Sequence, residues 1–154
     1  MKGLKVTAIL FSLLGVILMI AAVFLPYVSI PMLGLLESFL SLFNISLAAL
    51  KVGGEIYIAL FVLFCIMAVF TLLALILAIA RKPVGLLIFV IFAGVLDLVI
   101  IALMYNQFFS QKIVPDGIGM ILHIVGFVIA FIGSILMLIW KSKEKRLARK
   151  EISQ

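Results

Sequence analysis

Asp97 stands in the stretch FAGVLDLVIIALMY, residues 92–105, and His123 in DGIGMILHIVGFVIAFIGSIL, residues 116–136. With the single cysteine, Cys65, they are the residues whose side chains could do chemistry inside apolar runs. Three chemistries use such groups: nucleophilic catalysis, metal ligation and proton or cation coupling. A cysteine nucleophile needs an electropositive, partly exposed setting. Cys65 lies instead in a long apolar run, where a free cysteine acts as a small packing residue, and nothing in the spacing puts it on a face with the other two. One cysteine also excludes an intramolecular disulfide. The chain therefore reads as non-enzymatic, with no catalytic residue, no metal site and no cofactor. What remains is the pair Asp97 and His123, either as a hydrogen bond between helices or as a carrier of protons or cations.

The elements that position this pair follow from composition. Of 154 residues 68% are hydrophobic and 12% charged, and the mean hydropathy is +1.50. Soluble domains run nearer 45–50% apolar and about 25% charged, so the solvent for this chain is lipid. Four runs are long enough to span a bilayer core: residues 6–25, 56–80, 84–105 and 118–140. The first follows Lys2 and Lys5, as a signal peptide would. It is longer than a typical signal-peptide apolar region and is followed by no small-x-small cleavage pattern, so it reads as an uncleaved first helix. The expected fold is an all-α integral membrane protein, a single membrane domain over residues 1–154. It is a four-transmembrane-helix bundle with an amphipathic extracytoplasmic segment, residues 32–50, between helices 1 and 2.

Charge sets the orientation. Four spans put Lys2, Lys5, the Arg81/Lys82 turn and the basic tail on one side and leave Lys51 and Lys112 on the other. By the positive-inside rule both termini of a multi-pass protein of the cell membrane are then cytoplasmic. Tyr27, Tyr57 and Tyr105 fall at the outer ends of spans and Trp140 at an inner end, the levels aromatic residues prefer.

In this frame Asp97 lies ~12 Å below the outer end of the third span, and His123 ~7–8 Å below the start of the fourth, at ~1.5 Å per residue. A short loop, 106–117, makes the two helices neighbours, so the side chains reach one another if they face the same way. Gly94 shares a face with Asp97 and would admit a close neighbour. A carboxylate in mid-span costs about 3 kcal/mol on insertion scales, which its apolar neighbours offset. Protonation, a partner such as His123, or a water-filled cleft would each suit it.

Three further patterns carry function or packing. Gly119, His123, Gly126, Ala130 and Gly133 recur at intervals of three and four, a seam of mostly small residues that lets helices approach closely in lipid. In the outer segment, Gly34, Glu37, Ser41, Asn44, Ala48 and Lys51 have helical spacing, which predicts a helix with a polar stripe lying at the interface or against the bundle. Glu37, Ser41 and Asn44 are its candidate contact residues. Lys141, Lys143, Lys145, Arg146, Arg149 and Lys150 make a basic tail, residues 141–154, that should lie along an anionic inner leaflet. Half of the chain's twelve Lys and Arg are in it. So short a tail reads as a lipid contact, with no nucleic acid as partner.

FLPYVSI closing the first span, GGEIYIAL opening the second and DGIGMILHIVGFVIAFIGSIL in the fourth resemble small uncharacterised bacterial four-transmembrane proteins of claudin-like topology. Claudins carry a tryptophan and a cysteine pair in the first outer loop. This chain has neither there, so the resemblance implies no barrier function and transfers no site residue. The expectation is an accessory or interaction protein, immunity-like in one version, that binds another membrane protein or itself through the outer segment and the glycine seam. The alternative is a small homo-oligomeric transporter or channel using Asp97 and His123.

Overall fold

A computed structural model of the protein describes residues 2–32, 36–41, 55–108 and 117–152. In chain order the elements are α1 (Lys2–Ala22), β1 (Pro26–Met32), β2 (Leu36–Ser41), α2 (Glu55–Ile79), α3 (Pro83–Phe108) and α4 (Ile118–Ile152). Among the described residues, four helices are long and apolar enough to cross a membrane. In hydrocarbon every backbone amide must be satisfied within its own segment, which is why these runs are helical.

The helix ends are marked locally. α1 closes with i→i−3 bonds, Phe24 N to Ala21 O at 3.1 Å and Leu25 N to Ala22 O at 3.1 Å, the tightening that satisfies last-turn carbonyls. Glu55 sits in the first turn of α2, where a carboxylate favours the helix dipole. α2 ends with Lys82 N bonded to Leu77 O at 3.0 Å and Arg81 N to Ala78 O at 3.2 Å, with Arg81 at φ 55°. This is a left-handed helix stop of the kind glycine usually makes. Pro83 then opens α3 at the position where its missing N–H costs nothing.

The segment between the first two spans departs from expectation. Residues 36–41 are strand, not helix, and pair antiparallel with β1, Ser29 opposite Phe39 and Ile30 opposite Ser38. Val28 and Ile30 are β-branched and favour extended backbone. Pro26 and Pro31 are tolerated because both strands of a two-stranded sheet are edges. A three-to-four spacing over so few residues does not separate helix from strand. An isolated hairpin is marginal, and here β1 is braced against α4. Glu37 and Ser41 belong to β2, while Gly34, Asn44, Ala48 and Lys51 lie outside the described residues.

The tail continues the last span as helix. α4 runs unbroken through residues 141–152, 35 residues in all, about 53 Å at ~1.5 Å per residue against a ~30 Å hydrocarbon core. Lys, Glu, Arg, Leu and Ala are strong helix formers, no Gly or Pro interrupts them, and Arg149 and Lys150 in the last turn suit the dipole. The helix therefore carries its outermost charges ~13–15 Å past Trp140.

The bundle is a ring: α1 packs on α2, α2 on α3, α3 on α4 and α4 on α1, the last pair most extensively. Its interior holds Val16, Met19, Met67, Leu86, Ile100 and Met137. Its exterior is apolar too, with Leu10, Ile17, Val69, Ile76, Phe92 and Val128 exposed, as a surface solvated by lipid requires. Buried hydroxyls are satisfied within their own helices: Ser12 Oγ donates to Ala8 O (2.8 Å), Thr71 Oγ1 to Met67 O (2.8 Å) and Ser134 Oγ to Ala130 O (2.7 Å).

Candidate functional site

α4 presents two faces. Stepping ~100° per residue from His123, Gly126 and Gly133 fall ~60° and ~80° to one side, and Phe127 and Phe131 ~40° and ~80° to the other. The small face meets α1 at backbone contact. A Cβ on Gly126 would sit 2.9 Å from the Gly15 carbonyl oxygen and 2.9 Å from Met19 N. One on Gly133 would sit 2.8 Å from Phe11 C and Ser12 Cα, and one on Gly15 would fall onto the Ala130 backbone nitrogen. Gly119, Gly126, Ala130 and Gly133 are all buried. The seam is thus filled by α1 of the same chain. From Gly126 to Gly133 it is a contact between helices of one protomer.

The aromatic face meets α3. The Phe127 ring occupies the space above Gly94, where a Cβ would overlap it, and stacks on Phe131 with centroids 6.1 Å apart. Between the two faces stands His123. Its Nδ1 lies 3.3 Å from Oδ1 of Asp97, and the two residues are 1% and 3% exposed. The structure therefore brings together the two polar residues that depth alone put at similar levels. A carboxylate accepts, and a protonated ring nitrogen donates, so the contact holds one proton between two groups inside a low-dielectric bundle. The arrangement can lock α3 to α4 or hand a proton from one helix to the other.

Cys65 is exposed on the outside of the bundle, whereas Asp97 and His123 are buried inside it. Among the described residues no group of three or more His, Cys, Asp or Glu gathers as a metal would need.

The basic tail divides in two. Lys141 and Lys145 border an open groove shared with Arg81 and Lys82 of the α2–α3 turn. Lys143, Arg146, Arg149 and Lys150 line a second groove around Leu147. Trp140 is 5% exposed and lies beneath two ammonium groups, Lys5 Nζ at 5.3 Å and Lys141 Nζ at 5.4 Å from the ring centroid. It is thus a covered cation–π contact rather than a residue presented to the interface.

The sequence reading missed Gly15 and Ser12 of α1, the other half of the seam. Their signal was present: Ala8, Ser12, Gly15, Met19 and Ala22 recur at three and four, and all are buried. It also missed the convergence of Arg81 and Lys82 on the tail, which no local pattern encodes.

Comparison with known proteins finds no family model, no curated protein and no solved structure that matches this chain.

Proposed function

We propose that the chain is a non-enzymatic accessory protein of a bacterial cytoplasmic membrane, with both termini cytoplasmic, that engages another membrane protein through its outer hairpin. Protection against such a protein, as immunity proteins give, belongs to the same class. The observation that carries this reading is the closure of the Asp97–His123 pair. The two side chains face each other at 3.3 Å inside one protomer, and Ser12, Thr71 and Ser134 are tied to their own helices. The hydroxyls are satisfied within their own helices, and the Asp97–His123 contact joins α3 to α4. The described flanks of the bundle are apolar, and the hairpin brings Ser29, Glu37, Ser38 and Ser41 into one small sheet near the outer end. Lys5, Arg81, Lys82 and the tail at the opposite end support the orientation.

Photo-crosslinking in native membranes tests it. A photoreactive residue at Ser38 should capture a defined protein that the same residue at lipid-facing Ile88 does not, and Glu37→Lys should reduce the capture. Identical adducts from both positions would remove the hairpin as a contact surface.

One feature favours the second reading, a small homo-oligomeric transporter or channel: an intramembrane carboxylate facing an imidazole is a common proton relay. Liposomes holding the protein should then conduct protons or cations, with Asp97→Asn abolishing the flux. Flux indifferent to that change would end this mechanism.

A further inference from the structure

At the basic end, a groove of about 610 Å³ runs between the α2–α3 turn and the first turns of the tail. That lies within the ~300–1,000 Å³ usual for ligand sites. Arg81 and Lys82 form one wall, and Lys141, Ser142 and Lys145 the other. Leu77, Val84 and Leu138 make the floor, and no acidic residue is among the described residues lining it. Four cations from two distant parts of the chain thus converge on one concavity whose described lining holds no carboxylate.

Two observations narrow the occupant. Ile76, Ile79 and Val84 are exposed on the adjoining flank, so the apolar floor continues onto the lipid-facing surface. A free phosphate would leave that floor wet, whereas acyl chains would cover it. Arg81, moreover, holds a left-handed backbone at φ 55°, a conformation that disfavours any residue but glycine. The chain keeps a guanidinium where glycine would be the relaxed choice. Guanidinium groups bind phosphate oxygens in pairs.

We propose that this groove binds the two-phosphate head group of a cardiolipin-type anionic phospholipid, one phosphate against each cationic wall and the acyl chains along the α2–α3 flank. Basic pockets between spans are a recurrent solution for such head groups. The site is separate from the diffuse attraction of the outer tail, because Arg149 and Lys150 stand ~13–15 Å beyond Trp140, past the level of the turn.

Native mass spectrometry of the full chain in non-ionic detergent, titrated with cardiolipin, phosphatidylglycerol, phosphatidylcholine or inorganic phosphate, tests the proposal. Arg81→Gly with Lys145→Gln removes one cation from each wall, and glycine relaxes the backbone at 81, so folding is preserved. Lys143→Gln with Lys150→Gln removes the same charge outside the groove. One cardiolipin should bind the wild type in preference to the other three probes. The groove variant should bind it about tenfold or more weakly, since each cation near an anionic head group contributes about fivefold, while the tail variant should stay within about twofold. Equal losses in both variants, equal binding of phosphatidylcholine, or displacement by inorganic phosphate at similar concentration would each overturn the assignment.

Discussion

α4 is gripped on two sides by different physics. Against α1 the contact is backbone on backbone, through Gly15, Gly126 and Gly133, with nothing soft between. Against α3 it is a ring over Gly94 and a polar pair at 3.3 Å. In lipid there is no hydrophobic drive between helices, so close van der Waals contact and interhelical hydrogen bonds are the available attractions. This protein uses one on each face of a single helix. The first kind fixes distance and forgives no added atom. The second fixes register and can be altered without moving the backbone.

The largest effect that would break this comparison is steric. Gly15→Val places branched carbon where the Ala130 backbone stands, and neither backbone can yield. Overpacking usually costs about 1–3 kcal/mol, and rigid neighbours put this site at or above the top of that range. Thermal unfolding in detergent should show a lower, broader transition and size exclusion a loss of monodispersity. Gly94→Ala is its counterpart on the other face: there the obstacle is the Phe127 side chain, which can rotate away, so the loss should be about 1 kcal/mol. If the two substitutions were equally harmful, the distinction between hard and soft faces would fail.

The next effect is polar. Asp97→Asn and His123→Leu, made singly and together, form a double-mutant cycle. Interhelical polar contacts in membranes average about 0.6 kcal/mol and reach about 1.7. Burial of both partners points to the upper part of that range. A coupling within error of zero would mean that the two groups are neighbours without mutual support, and that α3–α4 relies on the Phe127 ring alone.

The sequence made one side of this comparison more legible than the other. Four spans are readable because lipid requires about twenty apolar residues per crossing, and few other patterns produce such runs. Asp97 and His123 could be brought to similar depth by helix rise and a short loop, although their facing needed the three-dimensional packing. The glycine stripe on α4 was readable as a seam, but periodicity gives a face and not its neighbour. Gly126 and Gly133 therefore could not be assigned to α1, nor His123 separated from them toward α3. The hairpin was illegible for a further reason. Its ladder joins residues as distant as Pro26 and Ser41, and a non-local hydrogen bond leaves no trace in the spacing of Glu37 and Ser41. The helical tail was foreseen as charge, while its unbroken continuation depended on the lack of any stop after Trp140.

The smallest effect sharpens the comparison from the opposite direction. Ser134 is fully buried and one residue beyond Gly133, so its hydroxyl could be mistaken for part of the glue between helices. Its Oγ instead donates to Ala130 O, four residues back on the same helix, at 2.7 Å. Such a back-bond satisfies the hydroxyl without holding a neighbour and slightly disfavours the helix. Ser134→Ala removes donor and lone pairs together and leaves Ala130 O its ordinary helical partner, so no buried group is orphaned. The change in stability should stay within about 0.5 kcal/mol, and thermal unfolding in the same detergent would register it. A loss comparable with breaking the Asp97–His123 pair would show that Ser134 reaches across to α1 or α3, and that polar contacts hold both faces of α4 rather than one.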